Sequence, residues 1–254
     1  MNTILETKNL SIGYEKPLYS DINLSINTGE LIGIIGKNGT GKSTFLKSIM
    51  QIIPSITGEI LIENQNLKSI NNKELSQKLA VVLTEKIPIS QYTVYDILAL
   101  ARYPYSNWLF QLNNKDKEII ENVIELVKIQ EFVNLKVSNL SDGMMQIVMI
   151  ARALVQDTPI IILDEPTTFL DLENTFQIFE LLKKIVNTHQ KTVIFSTHQV
   201  EIALQICDQI ICFTNSKVLI QNPTEIIENQ IIENIFNTQK IKFNPRLMKF
   251  EFKF

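Results

Sequence analysis

Short apolar runs rich in β-branched residues recur along the chain and predict buried strands. Runs with few polar interruptions are typical of strands covered on both faces, as in a parallel sheet flanked by helices. Residues 1 to 28 alternate apolar and polar positions more regularly, which predicts antiparallel strands at one side of the fold. The apolar runs are "ELIGIIG" (30 to 36), "EILIE" (59 to 63), "LAVVLT" (79 to 84), "PIIILDE" (159 to 165), "TVIFST" (192 to 197) and "QIICFT" (209 to 214).

One interval breaks this strand pattern. Between "LAVVLT" and "PIIILDE" the pattern is almost wholly helical, over an interval far longer than a crossover connection requires. We therefore predict a helical subdomain at about 88 to 155, inserted into an α/β core formed by residues 1 to 87 and 156 to 254. The predicted fold is a single α/β domain with a mostly parallel sheet, an N-terminal antiparallel β subdomain and the inserted α-helical subdomain.

Composition and charge exclude several classes of protein. The hydrophobic content of 45% and the charged content of 20% are those of a folded globular chain. The formal net charge of -3 shows no basic excess, so nucleic acid is not an expected partner. We expect no secretory signal, since "MNTILETKNL" has neither a basic region nor an apolar segment, and no transmembrane helix, since no run of about 18 apolar residues occurs. Cys207 and Cys212 have neither metal-site nor disulfide-framework spacing, so we expect a reduced, cytoplasmic setting.

The strongest chemical signal is "GKNGTGKS", from Gly36 to Ser43, which matches the phosphate-binding pattern G-x-x-x-x-G-K-[ST]. It follows the strand-like "LIGII" and precedes the helix-like "STFLKSIMQII". This order of strand, loop and helix is typical of phosphate-binding loops. Backbone N–H groups in the loop can face a phosphate, Lys42 supplies a positive charge and Ser43 offers a hydroxyl to Mg²⁺. The sequence thus predicts a P-loop NTPase core.

Acidic residues follow the apolar run "IIIL" and suggest the second half of such a site. Asp164 is expected at the carboxyl end of a buried strand, where open α/β sheets bind ligands, and it can hold Mg²⁺ through water. Glu165 beside it can accept a proton from an attacking water. Taken alone, an Asp-Glu pair is equally typical of a solvated strand end. The preceding phosphate loop favours the functional interpretation.

His198, in "FSTHQ", ends the next predicted strand at the same edge of the sheet. A lone histidine is more often structural than functional. The position of His198, where a γ-phosphate could lie, favours a phosphate ligand over a metal ligand.

Together these motifs resemble a known family. In this order and at these intervals, "GKNGTGKST", "LSDGMMQ", "IIILDEP", "FLDL" and "STH" resemble the nucleotide-binding subunit of an ATP-binding cassette transporter, over essentially the whole chain. The resemblance implies an ATPase that uses ATP and Mg²⁺ and is held at the cytoplasmic face of the membrane by integral membrane permease subunits. It also implies a head-to-tail homodimer on ATP binding and, indirectly, an extracytoplasmic substrate-binding protein.

The resemblance also implies roles for individual residues. Glu165 would be the general base, His198 would contact the γ-phosphate and Lys42 would serve both binding and catalysis. Tyr14 would stack on adenine; without the motif, a half-buried strand tyrosine would be its default interpretation. Asp171 would link the two active sites across the dimer. The ATP-binding set is Tyr14, Gly36, Lys37, Asn38, Gly39, Thr40, Gly41, Lys42, Ser43 and Thr44; the signature set that meets the ATP of the other subunit is Ser141, Asp142 and Gly143.

Two positions depart from the family pattern. The usual signature "LSGGQ" is "LSDGM" here, so Asp142 places a carboxylate where glycine is usual. The glutamine expected after the third strand is Glu85, in "VVLTEK". We expect Glu85 to join Ser43 and Asp164 around Mg²⁺, because this hard ion prefers charged oxygen ligands. The alternative is that Glu85 points to solvent and the loop works through its backbone.

The segment "TVYDILALARYPYSNW", Thr93 to Trp108, narrows the subgroup. It resembles cassettes that serve iron-siderophore, haem and cobalamin importers, with Ala101 in place of their usual glycine. On physical grounds alone it is a helix that ends before Pro104 with exposed aromatic residues, which also suit other protein contacts.

Two further classes of protein stay open at this point. A soluble phosphate-loop kinase or GTPase explains Gly36 to Ser43 but leaves the signature helix and His198 without a role. A cassette ATPase acting on DNA or ribosomes usually has paired cassettes or long coiled coils, which this chain lacks. Within the cassette family, a permease with another cargo, or an exporter, is the alternative to the importer.

Overall fold

The computed structural model describes residues 2 to 83, 91 to 106, 111 to 168 and 170 to 252. The strands are β1 (Thr3–Gly13), β2 (Pro17–Asn27), β3 (Leu31–Gly36), β4 (Thr57–Ile62), β5 (Gln65–Asn66), β6 (Leu79–Val82), β7 (Ile160–Leu163), β8 (Thr192–Ser196), β9 (Gln209–Phe213), β10 (Val218–Gln221), β11 (Ile241–Asn244) and β12 (Lys249–Phe252). The α-helices are α1 (Lys42–Ile49), α2 (Asn72–Lys78), α3 (Val94–Leu100), α4 (Asn114–Val127), α5 (Asp142–Val155), α6 (Leu172–His189), α7 (Val200–Ile206), α8 (Pro223–Glu228) and α9 (Ile231–Phe236). Short 3-10 helices cover Leu67–Ser69, Tyr103–Tyr105, Gln130–Phe132 and Val137–Asn139.

A six-stranded sheet forms the centre of the fold, in the order β10, β9, β3, β8, β7, β6. Its neighbouring strands run parallel, apart from the antiparallel pair β9 and β10. Alternate side chains of β3 enter two different apolar clusters: Leu31 and Ile35 pack with α3 to α7, whereas Ile32 and Ile34 pack with α1, β1 and β4. Both faces of the sheet are thus covered, and the predicted mostly parallel α/β core is confirmed.

A second, antiparallel sheet has the order β2, β1, β4, β5, and its β1 and β2 confirm the antiparallel strands predicted for the N-terminal part. The interpretation of "EILIE" as a strand buried on both faces is wrong. In β4 only Ile60 and Ile62 are buried, while Glu59 is exposed. The apolar residues of β4 alternate with more exposed ones, so the strand covers one face only, and it pairs with β1 in this sheet.

The described residues between β6 and β7 form α3, α4, α5 and short 3-10 turns, with one isolated bridge between Thr93 and Lys136. Each helix begins at a side-chain cap, from Thr93, Asn113 and Ser141 respectively. These caps bond backbone N–H groups that have no partner within the helix. The helical character predicted for this interval is confirmed, and the limits at 88 and 155 stay a prediction.

The last elements of the chain were not predicted. α8 has a recognisable start, in which Asn222 and Glu225 form a reciprocal capping box around Pro223. The hairpin of β11 and β12 packs on α9 through Phe250 and Phe236, whose ring centroids are 5.8 Å apart, and Phe243 packs on Phe250 within the hairpin at 5.2 Å. In the described ranges no helix combines the length and apolar character that a membrane span requires.

A buried ion pair fastens the helices between β6 and β7 to each other. Nε of Arg102 donates to Oδ1 of Asp116 at 2.8 Å, and Nη1 of Arg102 donates to the carbonyl oxygen of Val155 at the end of α5. The Arg102 guanidinium also lies 4.1 Å from the ring centroid of Tyr105. Burial alone would raise the pKa of Asp116, but the hydrogen bonds from Arg102 and from the Asn113 backbone lower it below the usual value.

Replacing Asp116 by asparagine should lower the free energy of unfolding by about 3 to 5 kcal/mol, because it leaves a buried guanidinium without its counter-charge. Denaturant unfolding measures the change. Asp157→Asn, which breaks the exposed pair with Lys191, is the matched control and should cost at most about 1 kcal/mol. Because the native pKa of Asp116 is lowered, the pair stabilises above the unfolded value of about 3.9 and its contribution is lost as the pH falls below it. Equal stability of the two variants would contradict this role of the pair.

Candidate nucleotide site

The glycine-rich loop closes around the side chain of Lys42. Its Nζ donates to the carbonyl oxygen of Gly36 at 2.9 Å and to that of Lys37 at 3.0 Å. Thr40 Oγ1 also donates to the Lys37 carbonyl oxygen, at 2.8 Å. Gly41, the residue before α1, has a φ of 97°, which favours glycine. The loop is therefore held in shape by its own lysine.

The N-terminus of α1 is suited to an anion. Among the α-helices of the described residues, α1 alone has no acidic residue in its first turn. Gly41 has no side chain with which to cap the helix. The first N–H groups of a helix have no intrahelical partner and carry a partial positive charge, which attracts a phosphate.

The carboxyl ends of β7 and β8 bring the predicted acidic residues and the histidine together. Nε2 of His198 lies 2.7 Å from Oε1 of Glu165. An ionised carboxylate can only accept, so Nε2 of His198 is the donor in this state. Thr168 Oγ1 donates to the other carboxylate oxygen of Glu165, at 3.0 Å. The sequence predicts that His198 contacts the γ-phosphate. In this structure its Nε2–H group bonds instead to Glu165, the predicted general base.

Loop and strand ends face each other across a cleft of about 480 Å³. Tyr14, which is 68% exposed, lies at this cleft and leaves its ring available for stacking. The exposed side chain of Leu18 also lines it and was not predicted, since nothing in "PLYSD" distinguishes this leucine. The lining residues are Tyr14, Leu18, Asn38, Gly39, Gly41, Lys42, Ser43, Thr44, Glu165 and His198.

The two acidic residues act electrostatically on the loop lysine. Burial lowers the pKa of Lys42, and the negative charges of Glu165 and Asp164 oppose that shift. Lys42 thus lies close enough to both carboxylates for their negative charges to affect its pKa.

Oxygen ligands for a metal ion are present at this cleft. Ser43 lines the cleft and is exposed, whereas Asp164 directly follows β7 and is not itself a lining residue, although its chain neighbour Glu165 is. Hydroxyl and carboxylate oxygens are the ligands that Mg²⁺ prefers, and the ion usually keeps several waters. The described part of the chain contains no cluster of three or more His, Cys, Asp or Glu residues around a metal position. The donors therefore fit a water-rich Mg²⁺ shared with phosphate oxygens. Glu85, the third predicted ligand, lies outside the described residues.

The signature residues are not among those that line this cleft. Ser141 caps α5 by accepting from the backbone N–H of Met144 at 3.2 Å. Asp142 begins the helix, and Gly143 is buried. A Cβ at Gly143 would lie 2.9 Å from Cγ of Asn174 in α6. The absence of a side chain at Gly143 thus has a reason within one chain, the close approach of α5 and α6, which the sequence did not reveal.

Asp171 also lies outside the set of residues lining the cleft. It is the N-cap of α6, where its Oδ1 accepts from the backbone N–H of Asn174 at 2.8 Å. Asn174 therefore joins the predicted coupling residue to the signature glycine. Asn174 thus lies between Asp171 and Gly143, and neither of these two residues lines the nucleotide cleft of the same chain.

Comparison with known proteins agrees with this geometry. The sequence model described as "ABC transporter" matches residues 19 to 168. The chain is 34% identical to the petrobactin import ATP-binding protein FpuD of Bacillus anthracis, over 94% of this chain and 88% of that protein. It is 29% identical to the iron(3+)-hydroxamate import ATP-binding protein FhuC of Bacillus subtilis, over 96% of this chain and 92% of that protein.

Among solved structures, the chain is similar to a dimeric ATP-binding cassette in a post-hydrolysis state, bound to ADP and Pi. The identity is 28%, the TM-score is 0.74, and the match covers 87% of this chain and 99% of that chain. The family match spans more than half of the sequence and includes the phosphate loop and the strand that ends at Asp164. This chain therefore belongs to the ABC transporter family, as an ATP-binding subunit with ATPase activity.

Proposed function

We propose that the chain powers an importer for iron-siderophore, haem or cobalamin complexes, as the ATPase bound to the cytoplasmic side of a membrane permease. The observation that carries the ATPase role is the 2.7 Å contact between His198 and Glu165, opposite the loop closed by Lys42. The importer role is supported by the import proteins FpuD and FhuC, to which most of the chain aligns. An extracytoplasmic substrate-binding protein would deliver the cargo to the permease.

The phosphates of ATP bind at the N-terminus of α1, where Lys42 is the first helical residue, and Tyr14 stacks on the adenine. Ser43 and Asp164, joined by Glu85, hold Mg²⁺, which when bound neutralises charge on the phosphate oxygens. Gly36 and Lys37 act through the carbonyl groups that keep Lys42 in position. Binding thus relies on a loop that is already folded around its lysine, which limits the ordering cost.

Hydrolysis needs a base for the attacking water, and Glu165 takes that proton. When ATP is bound, the Nε2–H group of His198 must therefore form its hydrogen bond with the γ-phosphate rather than with Glu165. Arrival of the phosphate therefore frees a carboxylate oxygen of Glu165 at the moment when a base is needed. Thr168 keeps its own hydrogen bond to Glu165 and limits rotation of the released side chain.

Two copies complete the site head to tail when ATP binds. The N-terminus of α5, with Ser141 and Gly143, meets the γ-phosphate held by the other copy, and Asp171 links the two sites. Asp142 adds a negative charge where the phosphate approaches, so we expect it to weaken ATP-driven dimerisation relative to the usual glycine.

Gly143→Val should block ATP-driven dimerisation and leave ATP binding by the monomer nearly unchanged, because a side chain there obstructs the phosphate of the opposite copy. Light scattering and nucleotide binding measure the two effects. The contact with Asn174 provides the control, since Asn174→Ala relieves the clash within the chain. Dimerisation restored in Gly143→Val/Asn174→Ala would assign the defect to packing within one chain and contradict the contact across the dimer.

The transport role is tested in cells that lack the gene. Uptake of a radiolabelled ferric siderophore, haem or cobalamin should return with the wild-type chain and fail to return with Glu165→Gln. Affinity purification from detergent-solubilised membranes should recover an integral membrane permease. Recovery of nucleic acid or ribosomes instead, or restored export of a compound without any restored uptake, would contradict the importer.

A further inference from the structure

Ser196, at the end of β8, is the first residue of "STH" and contacts both acidic residues of the proposed site, although the sequence alone assigned it no role. β7 and β8 are parallel neighbours in which Leu163 pairs with Phe195. The next residues along the two strands are Asp164 and Ser196, so the register brings them side by side. Ser196 has no exposed surface. Its hydroxyl is therefore a buried polar group at the carboxyl edge of the sheet.

Hydrogen bonding gives this hydroxyl two separate tasks. Ser196 Oγ donates to Oδ1 of Asp164 at 2.6 Å, and it accepts from the backbone N–H of Glu165 at 2.8 Å. The directions follow from chemistry, because an N–H group can only donate and an ionised carboxylate can only accept. A single proton and a single lone pair of Ser196 thus hold the side chain of Asp164 and the backbone of Glu165.

The backbone at Glu165 needs such support. Its φ is 50°, in the left-handed region that residues with a side chain rarely adopt. The preceding N–H, of Asp164, still bonds to the carbonyl oxygen of Val82 in β6. One residue later, at Glu165, the chain leaves the sheet, and the hydroxyl of Ser196 accepts the hydrogen bond from the backbone N–H of Glu165. This turn directs the side chain of Glu165 towards His198.

We propose that Ser196 is a positioning residue that sets the orientation of the Asp164 carboxylate for the metal and the turn that aims Glu165 at the attacking water. The inference rests on the proposed ATPase site and extends it by the first residue of "STH", for which the sequence alone indicated no role. Loss of the hydroxyl leaves the half-buried N–H of Glu165 without this acceptor and removes a hydrogen bond from Oδ1 of Asp164. The metal affinity and kcat therefore fall together, while the phosphate loop still binds the metal-free nucleotide.

The test compares Ser196→Ala and Ser196→Cys with Thr197→Val. Thr197 is buried at the same strand end, and its hydroxyl accepts from the backbone N–H of Gln199 rather than contacting the acidic pair. The S–H group of cysteine is a weak donor and acceptor of nearly the same size as the serine hydroxyl, so it serves as a graded variant. Circular dichroism and thermal unfolding confirm that each variant is folded.

Mn²⁺ serves as the metal probe, detected by electron paramagnetic resonance with a non-hydrolysable ATP analogue bound. Ser196→Ala should raise the Kd for Mn²⁺ and lower kcat for ATP, each by about 10- to 100-fold, since a hydrogen bond to a charged group is lost. The affinity for the analogue in EDTA should stay within about threefold, because the loop contacts remain, whereas the affinity for the Mn²⁺ complex of the analogue should fall together with the Mn²⁺ affinity. Ser196→Cys should fall between alanine and wild type, and Thr197→Val should match wild type.

Each outcome decides the question. Unchanged Mn²⁺ affinity in both Ser196 variants of an active enzyme overturns the positioning role alone, as does an equal loss in Thr197→Val. If Ser196→Ala does not fold, the cysteine variant decides by the same two readouts. A wild-type chain that neither binds the Mn²⁺ complex nor hydrolyses ATP would overturn the proposed function itself.

Discussion

Replacing Glu165 by glutamine is expected to lower kcat for ATP hydrolysis by about 10²- to 10⁴-fold while leaving ATP affinity nearly unchanged. Glutamine has almost the same shape and can keep hydrogen bonds to His198 and Thr168, so the cleft stays intact. It cannot take a proton from water, which is the step assigned to this residue. The ATP-bound dimer should therefore accumulate, visible as a stable species in light scattering.

A charge-matched control separates this effect from a general loss of negative charge. Glu121 is exposed on α4, away from the residues that line the cleft, so Glu121→Gln should hydrolyse ATP at the wild-type rate. Nucleotide affinity is measured by titration without turnover. A Glu165→Gln variant that loses affinity in step with its rate would contradict the role as base, because a base acts on the water and not on bound ATP.

Replacing Lys42 by alanine is expected to raise the Kd for ATP by at least about 100-fold, since two kinds of charge-assisted hydrogen bond are lost. One kind is made to the phosphates, and the other closes the loop through the carbonyl oxygens of Gly36 and Lys37. The loop must then be ordered by the nucleotide itself, which costs binding energy. Isothermal titration with ATP in EDTA measures the change without turnover.

Lys47, in the last turn of α1, provides the matched control. Lys47→Ala removes the same charge from the same helix but not from its N-terminus, so the Kd for ATP should stay within about twofold. Thermal unfolding should show that both variants are folded. Similar losses of affinity in Lys42→Ala and Lys47→Ala would mean that net charge, rather than the loop lysine, controls binding. Equal losses of affinity in Lys42→Ala and Glu165→Gln would contradict the division of roles between them.

The chemistry of the site could be predicted because each motif is local. A glycine-rich loop between an apolar run and a helix is a contiguous pattern typical of a phosphate site, and its presence favours the functional interpretation of the Asp-Glu pair that follows four apolar residues. Parallel strands end at one edge of their sheet, so these motifs were expected to meet His198 there. The cleft that gathers Lys42, Glu165 and His198 confirms that expectation of proximity.

Other parts of the fold could not be predicted because the deciding contacts join distant residues. The pattern of "EILIE" does not show which sheet it enters, and pairing with β1 decided that. The burial of Arg102 against Asp116 depends on how α3 ends beside the start of α4. The tight space at Gly143 depends on where the side chain of Asn174 in α6 approaches α5. Each of these depends on the packing of elements that are separate in the sequence.

The sequence by itself determined the family, the phosphate loop, the two acidic residues and the histidine, since local order and spacing encode a strand, a turn and a helix start. Only the tertiary structure decided that Ser196 holds Asp164 and Glu165 together, and that His198 donates to Glu165 in this state. A hydrogen bond between side chains on neighbouring strands depends on a register of a few ångströms. That register is set by the packing of the whole sheet, and no stretch of the sequence contains it.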